Sequence, residues 1–322
     1  MGIVVHSYGS RWHSKAGSKK YPGFTDALEL LEHSHAIGAG GIQVGIDGWT
    51  KAFSEKIYAQ KEARGMYLEG SLGVPYTSDE VPAFEENVIA AKEAGISVIR
   101  TVCTRGRRYE VYHSPEEFDN AYKQALTSLQ LSEPVLRKHK MKLAVENHKD
   151  WRADELVSLI HKLDSEWIGV TIDFGNSMAL LEDNLTVVET LAPYGFTTHV
   201  KDMGVDEYAD GFLLSEVPLG EGMSDLQKMF TVCRQHHPSI TFNLEMITRD
   251  PLEIPCLKDD YWSTFPTVKA SELARTLHQV KQHTFKPALP RVSQLSDEER
   301  LAVEEQNVVD SLAYHKNKLT PD

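Results

Sequence analysis

The chain has 322 residues, 41% of them hydrophobic, and a formal charge of −13 at pH 7. Its Lys and Arg residues are dispersed, which argues against a nucleic-acid partner, and no apolar run reaches the length of a bilayer span. Three cysteines without a Cys-x-x-Cys pair argue against a disulfide framework, and the start, Met-Gly-Ile-Val-Val-His, has no signal-peptide anatomy; the expected location is a reducing cytoplasm.

In chain order, the first strand is expected over Gly2–Tyr8, with His6 and Tyr8 on one face. A Ser/Gly/Lys-rich loop and a helix over 25–36 follow. Strand two is expected over 41–46, with a helix beyond Lys51, and strand three over 65–71, carrying Glu69. A helix opens near Ser78, where acidic residues suit an N-terminus. Strand four (96–103) carries Arg100; the basic loop Arg105-Gly-Arg107-Arg108 and a long helix over 115–138 come next. Four more short apolar runs close the series: Met141–His148, Ile168–Asn176, Gly195–Asp202 and Ile240–Ile247. The intervening helices are expected over 153–163, 185–192 and 224–235, and an eighth over 269–281. Eight strand–helix units without an opening Gly-x-Gly-x-x-Gly predict an eight-stranded β/α barrel, that is a (β/α)8 TIM barrel, over residues 1–284.

Residues 285–322 depart from this pattern and predict a C-terminal helical extension. Pro287 and Pro290 mark a linker, Ser296 and Glu299 have capping-box spacing, and Leu301, Val308 and Leu312 form an apolar stripe. Two placements compete. The helix packs on another subunit, giving a homo-oligomer through this arm, or it folds back on its own barrel.

The chemistry concentrates in the last four strands. Glu146, Asp173, His199 and Glu245 each sit at a strand's C-terminal end, the face on which this fold builds its sites. Three carboxylates and an imidazole converging there are costly unless paired or metal-bound. They suit a divalent ion such as Mn, Mg, Co or Zn. Taken singly, each would more often be an ordinary hydrogen-bonded loop residue; four at consecutive strand ends favour the metal.

The order Val-Glu146-Asn-His148, Asp173-Phe-Gly-Asn176, His199-Val-Lys201-Asp202, Pro218-Leu-Gly-Glu-Gly222 and Leu-Glu245 resembles the xylose isomerase-like sugar isomerase/epimerase superfamily. The resemblance covers about residues 2–283 and implies Glu146, Asp173, His199 and Glu245 as ligands of one metal. It also implies Glu146 and Glu245 as the acid/base pair. The ketose 3-epimerase branch has His and Arg where this chain has Asn176 and Val205. The superfamily's abasic-site endonucleases carry further metal ligands and a basic groove, neither visible here.

Candidate substrate contacts are His6, Glu69, Arg100, His148, Asn176 and Lys201 at the strand ends, with Tyr261 and Trp262 as a lid platform after the last strand. Arg100 needs an anionic partner, either a substrate or Glu69; most of the loop arginines read as solvated charges. The leading expectation is a metal-dependent isomerase or epimerase acting on a small-molecule sugar through an enediolate. The alternative is a lyase on a sugar acid, either a dehydratase or a 3-oxo-acid decarboxylase. A non-catalytic sugar-binding barrel is a further alternative.

Overall fold

The computed structural model describes residues 1–14 and 17–320, so Lys15 and Ala16 of the first loop lie outside the described residues. The elements run β1 (Gly2–Val4), α1 (Ala27–Ala36), β2 (Gly41–Gly45), α2 (Lys51–Ala63), β3 (Tyr67–Ser71), α3 (Val81–Glu93), β4 (Val98–Thr101), α4 (Arg108–Val111) and α5 (Pro115–His139). They continue with β5 (Lys142–Glu146), α6 (Ala153–Leu163), β6 (Ile168–Asp173), α7 (Asn184–Leu191), β7 (Gly195–Val200), β8 (Asp202–Tyr208), β9 (Gly211–Val217) and α8 (Leu226–His236). The last are β10 (Thr241–Leu244), β11 (Leu252–Ile254), α9 (Ala270–Gln282) and α10 (Asp297–Tyr314).

Eight strands close into a parallel barrel in the order β1-β10-β7-β6-β5-β4-β3-β2. Helices cover its outer face, so strands such as β6 are buried along their whole length and read as continuous apolar runs. Side-chain oxygens start several helices: Asp26 accepts from two backbone N–H groups of α1, and Ser296 and Glu299 form the expected capping box on α10. The first strand is shorter than expected. A 3-10 turn takes over at Val5, where the Ser7 hydroxyl donates to the Leu244 carbonyl and accepts from the Met246 N–H. Those two bonds tie the turn to the end of β10 and swing His6 toward the barrel mouth.

The antiparallel sheet β11-β9-β8 was not expected from the sequence. β8 and β9 form a hairpin in which Tyr208 pairs with Gly211 across two residues, Ala209 and Asp210. Gly211 has φ of 152°, and a Cβ there would lie 2.2 Å from the Ile254 carbonyl oxygen of β11, so only glycine admits the third strand. Asp202 ties this insertion down. Its carboxylate accepts from the backbone N–H groups of Met203, Gly220, Gly222 and Ser224. The Pro218–Gly222 motif is therefore a loop folded around one carboxylate.

The eighth helix position is filled by α10, the C-terminal helix. The helix expected there, α9, packs instead on the antiparallel sheet, with Val280 in a second apolar cluster beside Met203, Val205 and Phe212. α10 lies against β10 and the turn after β1, and its Val308 and Leu312 belong to the main core. Glu304 accepts from the N–H groups of Ser10 and Arg11, and Glu305 pairs with Arg11. Of the two placements weighed for the C-terminal helix, it takes the fold-back on its own barrel. Burial decides the outcome of a paired substitution. Val308 is wholly buried and its neighbour Val309 is 37% exposed. Val308→Ala is expected to lower unfolding free energy by about 2 kcal/mol from its two lost methyl groups, and Val309→Ala by less than about 0.5 kcal/mol, read by urea denaturation.

Candidate active site

Strand register gathers the site. In the β6–β7 pair Asp173 lies opposite His199, and Glu245 follows β10 immediately, its N–H donating to the Val200 carbonyl at 3.0 Å. Glu146 ends β5. One ligand atom from each of Glu146, Asp173, His199 and Glu245 lies within 4.8 Å of the other three, and all four residues are buried. Donors about 2.0–2.2 Å from a shared ion lie at most about 4.4 Å apart, so small side-chain shifts would bring these four onto one ion.

His199 is set up to ligate through Nδ1. Its Nε2 lies 2.7 Å from the Gln43 side-chain oxygen, and the Gln43 amide nitrogen donates to Glu69 at 3.0 Å. With the amide fixed this way Gln43 can only accept, so Nε2 carries the proton and donates. Nδ1 then faces Glu245, Glu146 and Asp173 at 3.4, 3.5 and 3.9 Å, yet makes no hydrogen bond. Asp173 Oδ2 likewise lacks a hydrogen bond, while its Oδ1 accepts from the Gly175 and Asn176 N–H groups. Lys201, 3.0 Å away, offsets part of the charge on Asp173 Oδ2, and His199 Nδ1 has no hydrogen-bond partner at all, so a cation between them would satisfy both. Burial opposes charge on His199, but Glu245 and Glu146 outweigh it and push its pKa up to about 10. The field that would hold a proton there also attracts a metal ion.

Basic groups surround the cluster. Arg100 Nε donates to Glu146 Oε2 at 2.5 Å, and the Asn176 amide donates to Oε1 at 2.9 Å. Lys201 Nζ stands 2.6 Å from Glu245 and 3.0 Å from Asp173. His6, its side chain about half exposed, reaches Glu245 Oε1 through Nδ1 at 2.8 Å. Burial would raise both glutamate pKa values. Arg100 and His199 outweigh it at Glu146, and Lys201 and His199 at Glu245, so both carboxyls are held well below the usual range. Burial lowers the His148 pKa to about 4, which leaves that ring neutral at pH 7.

Among the candidate contacts, His6, Arg100, Asn176 and Lys201 touch the cluster directly, and His148 lies close enough to influence the Glu146 carboxylate. Arg100 has Glu146 as its partner, not Glu69. Glu69 lies inside the barrel, where it accepts from Gln43, Thr197, Thr241 and Asn243, and is not a mouth residue. Tyr261 and Trp262 form no platform. Both pack in the second apolar cluster, with the Tyr261 hydroxyl on the Ala179 carbonyl and the Trp262 indole N–H on the Cys256 carbonyl. Of the loop arginines, Arg108 is buried against Glu155 and Thr264, and Arg107 pairs with Glu110.

The aromatic wall comes from elsewhere. A cavity of about 280 Å³ opens between His6 and Arg100 and is lined also by Trp12, Asp47, Ser71 and Leu72. Trp12 and Gln43 escaped the sequence reading. Trp12 sits in the first βα loop, where an aromatic residue could have been flagged. Gln43 matters only through its neighbours in space.

A family model described as "Xylose isomerase-like TIM barrel" matches residues 31–260. The 3-oxo-isoapionate decarboxylase of Pectobacterium atrosepticum is 23% identical over 272 residues, covering 82% of this chain and 92% of that protein. The crystal structure of D-psicose 3-epimerase in the presence of D-fructose superimposes with a TM-score of 0.58 at 13% identity, covering 87% of this chain and 96% of the other. That of the IolI protein with a binding zinc atom gives 0.55 at 11% identity, covering 97% of each chain. If Gln43 fixes the His199 tautomer, Gln43→Leu should weaken metal binding about 10–100-fold, measured by chelator competition, with the fold retained.

Proposed function

This chain belongs to the xylose isomerase-like TIM barrel family, and on that premise we propose that it is a divalent-metal-dependent carbohydrate enzyme working through an enediolate. The observation that carries the reading is the convergence of one ligand atom each from Glu146, Asp173, His199 and Glu245 at the barrel mouth, with His199 Nδ1 buried and without a hydrogen bond. Glu146, Asp173, His199 and Glu245 would hold the ion, which supplies positive charge to stabilise vicinal oxygens as they become negative.

Within that class we favour a lyase acting on a 3-oxo sugar acid. An isomerase or epimerase begins by removing a weakly acidic C–H proton, which requires a carboxylate basic enough to take it. Here Arg100 and Asn176 occupy Glu146, while Lys201 and His6 occupy Glu245. Carboxylates engaged this way are weak bases. Decarboxylation of a 3-oxo acid needs no initial deprotonation: the C–C bond breaks, carbon dioxide leaves, and its electron pair moves onto the ketone oxygen as the enediolate forms. A proton must then reach carbon, and the half-exposed His6, bonded to Glu245, sits between the cluster and solvent to deliver it. The similarity to a decarboxylase along most of both chains supports the same choice. Arg100 and Lys201 would orient the substrate and hold negative charge.

Isomerisation or epimerisation is the second reading, supported by the two glutamates that close the cluster from β5 and β10. Carbon NMR of 3-oxo sugar acids, ketoses and aldoses in deuterium oxide separates the two. Loss of carbon dioxide with one deuterium retained in the product is the expected result, and Glu245→Gln should cut its rate at least about 100-fold. Deuterium exchange without loss of carbon would move the assignment to the second reading. No reaction of any of these carbohydrates by the metal-loaded protein would overturn both.

A further inference from the structure

Among the described residues, six cationic side chains are buried: Arg11, Lys61, Arg100, Arg108, Lys149 and Lys201. Five have a carboxylate within salt-bridge distance: Glu305, Glu62, Glu146, Glu155 and, for Lys201, both Asp173 and Glu245. Lys149 has none. Its ammonium donates to the Asn176 side-chain oxygen, a neutral acceptor that Lys201 also uses at 3.0 Å. A buried cation with only a shared amide oxygen for company is costly. Burial and the neighbouring Lys201 lower its pKa to about 8. Nearby Glu216 does not neutralise it, because Arg249 takes both Glu216 oxygens, at 2.5 and 3.1 Å.

The position is built, and it adjoins the site. Lys149 has φ of 70°, a left-handed conformation that lysine seldom adopts. The loop holding it is pinned by Asp150, which accepts from the N–H groups of His148 and Trp151, and by the wholly buried Trp151 ring. Asn176 links the lysine to the cluster, because the same amide that accepts from Lys149 and Lys201 donates to Glu146.

We propose that Lys149, with Lys201 beside it, forms a subsite for a substrate carboxylate, so that the carbohydrate is a sugar acid. This rests on the sugar-acid reading above and assigns the residues that hold the carboxylate. The arriving carboxylate supplies the missing counter-charge, leaving the Asn176 oxygen to Lys201. Arg100 already has Glu146 as its counter-charge, which leaves Lys149 as the buried cation without a carboxylate partner.

Calorimetric titration of the metal-loaded protein with D-xylonate, and with xylitol as the uncharged control, tests the proposal. Xylonate should bind the native protein at least about tenfold more tightly than xylitol. Lys149→Met should abolish that preference and Lys149→Arg restore most of it, with xylitol binding unchanged throughout. Metal content and melting temperature identify any variant that merely fails to fold, and the Lys149→Arg comparison then decides: a native-like preference supports a charge at this position. No preference for xylonate in the native protein, including no binding of either probe, overturns the subsite. So does a preference that survives Lys149→Met. Failure to bind a metal strikes at the proposed function, whereas a xylonate preference that survives Lys149→Met strikes at the subsite alone.

Discussion

Three buried carboxylates gathered around one imidazole nitrogen dominate the energetics of the barrel mouth. Such a cluster is costly without positive charge, and the chain supplies some through Arg100 on Glu146 and Lys201 between Asp173 and Glu245. What those cations leave is specific: His199 Nδ1, buried, without a hydrogen bond and facing all three carboxylates. The fold makes that concentration by geometry. Parallel strands all end at the same rim, so residues far apart in sequence, such as Glu146 and Glu245, meet there.

The support beneath the cluster is also polar. Where barrels of this kind commonly fill their interior with branched aliphatic side chains, this one places Glu69, Gln43, Thr197, Thr241 and Asn243 in one hydrogen-bonded layer. Through Gln43 that layer fixes which nitrogen of His199 is free. Glu69 is thus placed to orient a prospective ligand from beneath. The insertion of β8, β9 and β11 contributes Glu216, which pairs with Arg249 from the loop after β10 and stands 3.8 Å from Lys201.

Much of this was legible in the sequence because it depends on local pattern. The four strand ends carrying Glu146, Asp173, His199 and Glu245 follow apolar runs short enough to read as strands, and the capping residues of α10 mark its start. Tertiary competition hid the rest. α9 has the pattern of an eighth barrel helix, yet the insertion offers it an apolar face, and α10 takes its place. The alternation in β8 and β9 around Asp210-Gly211 is a hairpin signal obscured by its position inside an otherwise regular β/α series. Tyr261 and Trp262 read as lid residues because aromatic side chains on a long loop suit either role, and the second apolar cluster buries them instead. Glu69 and Arg100 share an inward orientation, but depth separates them along the barrel axis, and a sequence does not give depth.

X-ray absorption at the metal edge of the purified, metal-loaded protein tests the central claim most directly. The account predicts one ion per chain, bound by a single imidazole nitrogen and by oxygens at about 2.0–2.2 Å, with binding lost in both His199→Ala and Asp173→Asn. A protein that takes up no divalent ion, or an ion whose environment is unchanged by those substitutions, would contradict it.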